Sequence, residues 1–214
     1  MNNIDKDRLD VFLKSIKRPE DAVLADIRLK AQEDDVPIIR DEMADFMRFL
    51  MRVIKPKRIL EVGCAVGYSG IVMLKEAQEA HLTTIENYEK RIPVAKENFV
   101  RAEVSDRVTL LEGDAGEFLG KLEGEFDFIF MDAAKGQYIN WLPDVLRLLG
   151  HGGVLVTDNV LQEGEILESR YAVARRDRTI HARMREYLKA LSDTQGLTTS
   201  VVSVGDGAAL SIKE

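Results

Sequence analysis

The 214-residue chain has one cysteine, one tryptophan, three histidines and no surplus of basic residues. Each shortage excludes something. A lone Cys64 forms no intramolecular disulfide, which suits a reducing compartment. No apolar run approaches the roughly 20 residues needed to span a bilayer, and MNNIDKDRLD lacks the charged-then-apolar layout of a secretion signal. A cytoplasmic location is therefore expected, with no membrane partner. The formal net charge of −7 excludes wholesale coating of nucleic acid or anionic membrane. His81, His151 and His181 show no metal-ligand spacing and read as structural or solvated. Repeats, low-complexity stretches and Pro/Gly/Ser linkers are also missing, so residues 1–214 read as a single domain.

What is there is ordered by hydrophobic period. The first 55 residues read as helices forming an N-terminal extension packed on the rest. Pro19-Glu20-Asp21 begins one, with Val23, Leu24, Ile27 and Leu29 following. Met43, Phe46, Met47, Leu50 and Ile54 stripe another. The period then changes. Strands are expected at 58–63, His81–Glu86, Val108–Glu112, Phe126–Met131 and His151–Thr157, with helices at Tyr68–Ala80, Tyr88 to about Ala102 and around Trp141 and Leu146. Strands alternating with helices imply an α/β, doubly wound parallel sheet covered on both faces. Leu197–Val204 and Ala208–Ile212 flank Gly205-Asp206-Gly207, a tight turn that makes the last strand antiparallel. Trp141 and Phe126 read as core residues, and Cys64 as a small packing residue.

In such sheets, ligands sit beyond the carboxyl ends of the strands. The first strand runs into Glu61-Val62-Gly63-Cys64-Ala65-Val66-Gly67-Tyr68-Ser69, where glycines permit a tight turn and close ligand approach. The following helix offers free N–H groups to a carboxylate, and Ser69 a hydroxyl. Glu86, ending the second strand, suits ribose hydroxyls, and Gly113-Asp114-Ala115 an adenine edge. The dinucleotide fingerprint G-x-G-x-x-G is absent, which argues against a nicotinamide dehydrogenase.

The fourth and fifth strands end in Asp132-Ala133-Ala134-Lys135 and Asp158-Asn159. Two carboxylates and an amide form an all-oxygen set suited to Mg²⁺, Mn²⁺ or Ca²⁺, with positions left for water or substrate. Lys135, a turn beyond Asp132, reads as a general base whose pKa a nearby cation depresses.

Taken together, Glu61-x-Gly63, Glu86, Gly113-Asp114, Asp132-x-x-Lys135 and Asp158-Asn159 resemble the cation-dependent O-methyltransferases of the catechol and caffeoyl-CoA type, from about Val36 to the C-terminus. The resemblance implies a seven-stranded Rossmann-like methyltransferase sheet with a reversed C-terminal strand. It implies S-adenosylmethionine as cofactor, held by Ile39, Glu61, Gly63, Ser69, Glu86, Asp114, Ala115 and Asp132. It also implies Asp132, Asp158 and Asn159 as ligands of Mg²⁺ (or Mn²⁺ or Ca²⁺), Lys135 and Asp132 in catalysis, and a homodimer. A third reading, a nucleotide-binding sensor without catalysis, conflicts with the presence of these four residues.

One position departs from the catechol enzymes, which carry a bulky aromatic residue before the lysine; here it is Ala134. From Arg170 to Arg185 there are six arginines and one acid, Asp177. From Arg178 onward a helix with Ile180, Met184, Tyr187, Leu188 and Leu191 facing the core would put arginines outside as a solvated face. Arg175-Arg176, before that helix, are explained less well that way. Arg175–Ile180, Met184–Leu188, Ala133–Tyr138 and Asp158–Leu161 resemble the bacterial tRNA 5-hydroxyuridine methyltransferases more specifically. That likeness implies methylation of wobble 5-hydroxyuridine to 5-methoxyuridine, with Arg175 and Arg176 on anticodon-loop phosphates. The alternative is a small aromatic with two vicinal oxygens.

Overall fold

The computed structural model describes residues 6–17 and 19–214. Three helices come first: α1 (Lys6–Ile16), α2 (Ala22–Glu33) and α3 (Asp41–Ile54). Asp21 caps α2 by accepting from the N–H groups of Val23 and Leu24, which satisfies two of its orphan donors. Then follow β1 (Arg58–Val62), α4 (Tyr68–Glu76), β2 (His81–Glu86), α5 (Ile92–Arg101), β3 (Val108–Glu112), α6 (Ala115–Leu119) and β4 (Phe126–Met131). The chain closes with α7 (Tyr138–Leu148), β5 (Leu149–Thr157), α8 (Arg178–Asp193), β6 (Leu197–Val202) and β7 (Ala208–Lys213).

The seven strands order as β3-β2-β1-β4-β5-β7-β6, with β7 antiparallel to both its neighbours and every other pair parallel. This is the doubly wound sheet with a reversed last strand. Period-two alternation divides the strand residues between two cores. Ile59, Phe128, Phe130 and Val156 face α2–α5, whereas Leu60, Ile129, Met131 and Leu155 face α6–α8. Because both faces are covered, the central strands read as continuous apolar runs. Helices α2 and α3 belong to the first core: Leu24, Ile27, Met43, Met47 and Met51 are buried in it.

Some boundaries differ from expectation. The second connecting helix starts at Ile92 rather than Tyr88, because the Glu86 carboxylate accepts from the N–H groups of Asn87 and Tyr88 and holds them out of helical pairing; Pro93 then opens the helix. The helix after β1 stops at Glu76, four residues early. On α8 the buried stripe is His181, Met184, Tyr187 and Leu191, while Ile180 is exposed. Leu29 of α2 is likewise outside.

One buried polar pair ties α8 to the sheet. The hydroxyls of Thr157 and Tyr187 lie 2.6 Å apart, and both residues are fully buried. Tyr187→Phe should leave the threonine hydroxyl unpaired and cost about 1–3 kcal/mol. Denaturant unfolding of the two proteins measures this; equal stability would mean that the pair contributes nothing.

Candidate active site

Parallel pairing decides what meets at the strand ends. Met131 is opposite Thr157 in the β4–β5 register, so the residues that follow, Asp132 and Asp158, emerge side by side. Asp132 N–H donates to the Val62 carbonyl and Asp158 N–H to the Met131 carbonyl, which carries the pairing one residue past each strand. Beyond these ends opens a cleft of about 700 Å³, lined by Ile39, Gly63, Ser69, Glu86, Asp114, Ala115, Asp132, Lys135 and Asn159 among others.

Gly63 is the tightest point of its floor. Its φ is +91°, and an added Cβ would stand 2.3 Å from the Asp132 carbonyl oxygen, so only glycine fits. Downstream, α4 begins with no side chain capping it, which leaves first-turn N–H groups facing the cleft for an anionic ligand. Glu86 is anchored by three backbone N–H groups, those of Ala65, Asn87 and Tyr88, at 2.7–3.0 Å. Asp114 caps α6 through Oδ1, leaving its second oxygen available to a ligand.

The structure relocates one expected cofactor residue. Glu61 is fully buried and does not line the cleft, because β1 alternation turns it toward α4, beneath the floor. There its carboxyl accepts from the Ser69 hydroxyl at 2.5 Å and the Thr84 hydroxyl at 2.6 Å. Ser69 does line the cleft, but its proton is given to Glu61. Complete burial, helped by the nearby Asp132 and Glu86 charges, pushes the Glu61 carboxyl up to about 7 despite those two hydrogen bonds.

At the other end, burial and then the adjacent Asp132 charge push Asp158 up to about 7, and burial raises Asp132 as well. Asn159 takes a left-handed φ of +60° and donates its amide Nδ2 to Asp132 Oδ1 at 3.2 Å. A half-turn of that amide would present its oxygen instead. Among the described residues no three His, Cys, Asp or Glu side chains group as metal ligands; the set is two carboxylates and one amide. That oxygen-only set, with two mutually repelling carboxylates, fits a divalent cation that keeps several waters. Lys135, one-third exposed, stands beside it with its Nζ 3.9 Å from Asp206 Oδ2.

Sequence reasoning missed several neighbours. Trp141, expected in the core, is half-buried and lines the cleft, with its indole beside Gly116 after the Asp114 turn. Tyr68 lines it too, its hydroxyl bonded to Glu20 and Arg28 of the N-terminal region. Asp206 carried no signal beyond a turn between glycines. Arg175 and Arg176 do not line the cleft; both are exposed on the turn before α8, with Arg176 paired to its neighbour Asp177. The first turns of α8 nevertheless pack beside the base, as Arg183 donates to the Gly136 carbonyl at 2.8 Å. Cys64 is buried and its thiol is pushed far up by burial, which makes it inert.

Residues 14–214 match the O-methyltransferase family. The chain is 31% identical to a catechol O-methyltransferase of Mycobacterium tuberculosis over 95% of its length and 94% of that protein's. It is 31% identical to caffeoyl-CoA O-methyltransferase 1 of Eucalyptus globulus, over 77% of the chain and 70% of the relative. Among solved structures, the O-methyltransferase TomG of Streptomyces achromogenes, in complex with S-adenosylmethionine, superposes with a TM-score of 0.86 at 25% identity, covering 98% of this chain and 99% of that one.

The buried Glu61 makes a pH prediction for the ligand-free protein. A folded carboxyl near 7 against an ordinary value of 4.5 means that, between those values, the unfolded chain has lost a proton the folded one keeps. Stability should therefore fall as pH rises through that window, by up to about 3 kcal/mol, and level off above it. Glu61→Gln should remove Glu61's share of this slope and leave that of Asp158 and Asp132, as measured by denaturant unfolding at pH 5, 6, 7 and 8. An unchanged slope in the variant would assign the pH dependence elsewhere.

Proposed function

The chain belongs to the O-methyltransferase family and is an S-adenosylmethionine-dependent enzyme of the catechol and caffeoyl-CoA type, and from that premise we propose that it methylates one of two vicinal oxygens on a small aromatic acceptor with the help of a divalent cation. The observation that carries this reading is the side-by-side emergence of Asp132 and the buried Asp158 from adjacent strand ends, with Asp132, Asn159 and Lys135 lining one cleft. Such a carboxylate pair is poorly matched to its own surroundings and well matched to a dication.

Asp132, Asp158 and Asn159 would hold the cation. Mg²⁺ or Mn²⁺ there would supply charge stabilisation at the acceptor oxygens. Lys135 Nζ receives the proton of the acceptor hydroxyl. Glu86 binds the ribose hydroxyls, the α4 amino terminus the methionine carboxylate, and Asp114 with Ala115 the adenine. Ile39, buried in the cleft wall, packs against the methionine chain and excludes water from it. These contacts would hold the methyl donor beside Lys135 and the carboxylates, and most of the rate would come from that positioning. The oxygen–carbon bond forms as the sulfur–carbon bond breaks, leaving a neutral sulfide.

A second reading, wobble 5-hydroxyuridine in tRNA, is favoured by one feature: Arg175 and Arg176 are exposed just ahead of a helix packed beside Lys135. Exposed Ala134 also leaves the cleft unwalled at the acceptor side. The 5-hydroxyl and 4-carbonyl oxygens of that base are vicinal, so the same residues serve. Small-molecule relatives put the first reading ahead. Among the described residues no helix is long and apolar enough to cross a membrane, and a cytoplasmic enzyme fits both readings. Exposed Phe49 and Val53 on α3 support a homodimer.

Two measurements test these readings. Excess chelator should abolish methyl transfer to catechol and Mg²⁺ or Mn²⁺ should restore it, while Asp158→Ala should need at least about tenfold more metal. Full turnover in chelator would remove the cation from the reaction. For the acceptor, Arg175→Glu with Arg176→Glu should leave catechol turnover unchanged under the first reading. Under the second, it should raise the KM for unmodified tRNA steeply and reduce its salt slope by about two contacts. Absence of any tRNA methylation by the wild-type protein would end the second reading.

A further inference from the structure

The turn between β6 and β7 carries a buried acid with no role in the reaction so far described. Asp206 has a side chain only 6% exposed. A buried carboxylate is costly unless hydrogen-bonded or paired. Its Oδ1 accepts from the Glu163 N–H at 2.5 Å, and its Oδ2 faces Lys135 Nζ at 3.9 Å. Among the described residues, Asp206 is the only carboxylate within 4.0 Å of Lys135 Nζ; Asp132 and Asp158 are farther. We infer that Asp206 is a positioning residue for Lys135, holding the base at the edge of the cleft. The inference rests on the reading of Lys135 as the base.

The rest of the turn is built to keep this carboxylate still. Leu161 N–H donates to the Asp206 carbonyl and Val160 N–H to the Gly207 carbonyl, both at 3.0 Å. These donors belong to the loop that leaves Asp158-Asn159, so the turn is fastened to the strand end bearing the carboxylates. Gly207 has φ +80°, and an added Cβ would stand 2.2 Å from Leu161 Cγ, so the two segments are in direct contact. The loop is itself held in an uncommon conformation: Asn159, Gln162 and Glu163 all have positive φ, and Asp206 satisfies the Glu163 N–H there. Exposed Glu163 continues outward to Arg40, at 3.1 Å, on the segment beyond Ile39. Lysine has a flexible four-carbon stem, and a fixed opposite charge confines its end. A confined base meets the acceptor hydroxyl in fewer wrong orientations, which acts on turnover rather than on binding.

Asp206→Asn is the informative variant, since the amide oxygen still accepts from Glu163 N–H while the charge is lost. With catechol, S-adenosylmethionine and Mg²⁺, kcat should fall about 10- to 100-fold, with acceptor KM and cofactor Kd within about twofold of wild type. Lys135→Ala alone should lower kcat by about 10²- to 10⁴-fold, and adding Asp206→Asn to it should change nothing further, because there is no base left to position. Independently of turnover, an acylating reagent read out by mass spectrometry should label Lys135 several-fold faster in Asp206→Asn, other lysines being unchanged. Wild-type kcat and wild-type labelling in Asp206→Asn, or a further loss on the Lys135→Ala background, would overturn the inference and leave the base assignment standing. Full turnover in Lys135→Ala would overturn both.

Discussion

Two aspartates set side by side in a region of low water access are the constraint around which this molecule is organised. Parallel pairing of β4 and β5 forces Asp132 and Asp158 together at adjacent strand ends. Burial raises both carboxyls, and the neighbouring Asp132 charge adds to the rise at Asp158. A lone ion pair would not resolve this, since Lys135 lies more than 4.0 Å from either carboxylate. The oxygen-only donor set around them is of the kind that would suit a hard divalent cation.

The cofactor half of the cleft is not a separate module. Gly63 presses on the Asp132 carbonyl so closely that no side chain fits between them. Any shift of the glycine turn would displace the carboxylate pair, so the proposed methyl-donor and acceptor sites are mechanically coupled. Beneath the same floor Glu61 gathers the hydroxyls of Ser69 and Thr84, linking β1, α4 and β2 at one buried point. From the outside, Glu20 and Arg28 reach Tyr68 at the start of α4. Helices α2 and α3 thus pack into the main core, and Glu20 and Arg28 also hold the helix whose amino terminus faces the cleft.

The reversed strand gains a chemical purpose beyond completing the sheet. Its turn lies against the loop that follows Asp158-Asn159, through two backbone hydrogen bonds and the contact of Gly207 with Leu161. That loop spends unfavourable backbone conformations at Asn159, Gln162 and Glu163, and the turn supplies the partners that stabilise them.

The sequence alone determined the doubly wound sheet, the strand ends and most cleft residues. Period-two alternation, apolar runs bounded by glycine and acids placed just past each strand are local signals, and Glu86, Asp132, Lys135, Asp158 and Asn159 could be read from them. Tertiary structure decided what depends on direction and distance. The turn of β1 that sends Glu61 beneath the floor follows from which sheet face α4 covers. Trp141 reaches the cleft because α7 packs beside the Asp114 turn, although its residue type suggests core. Asp206 meets Lys135 only because β7 inserts next to β5, bringing together residues 71 positions apart in the chain. Pairing across such a separation leaves no periodic trace, since it is set by sheet order and not by neighbours along the chain.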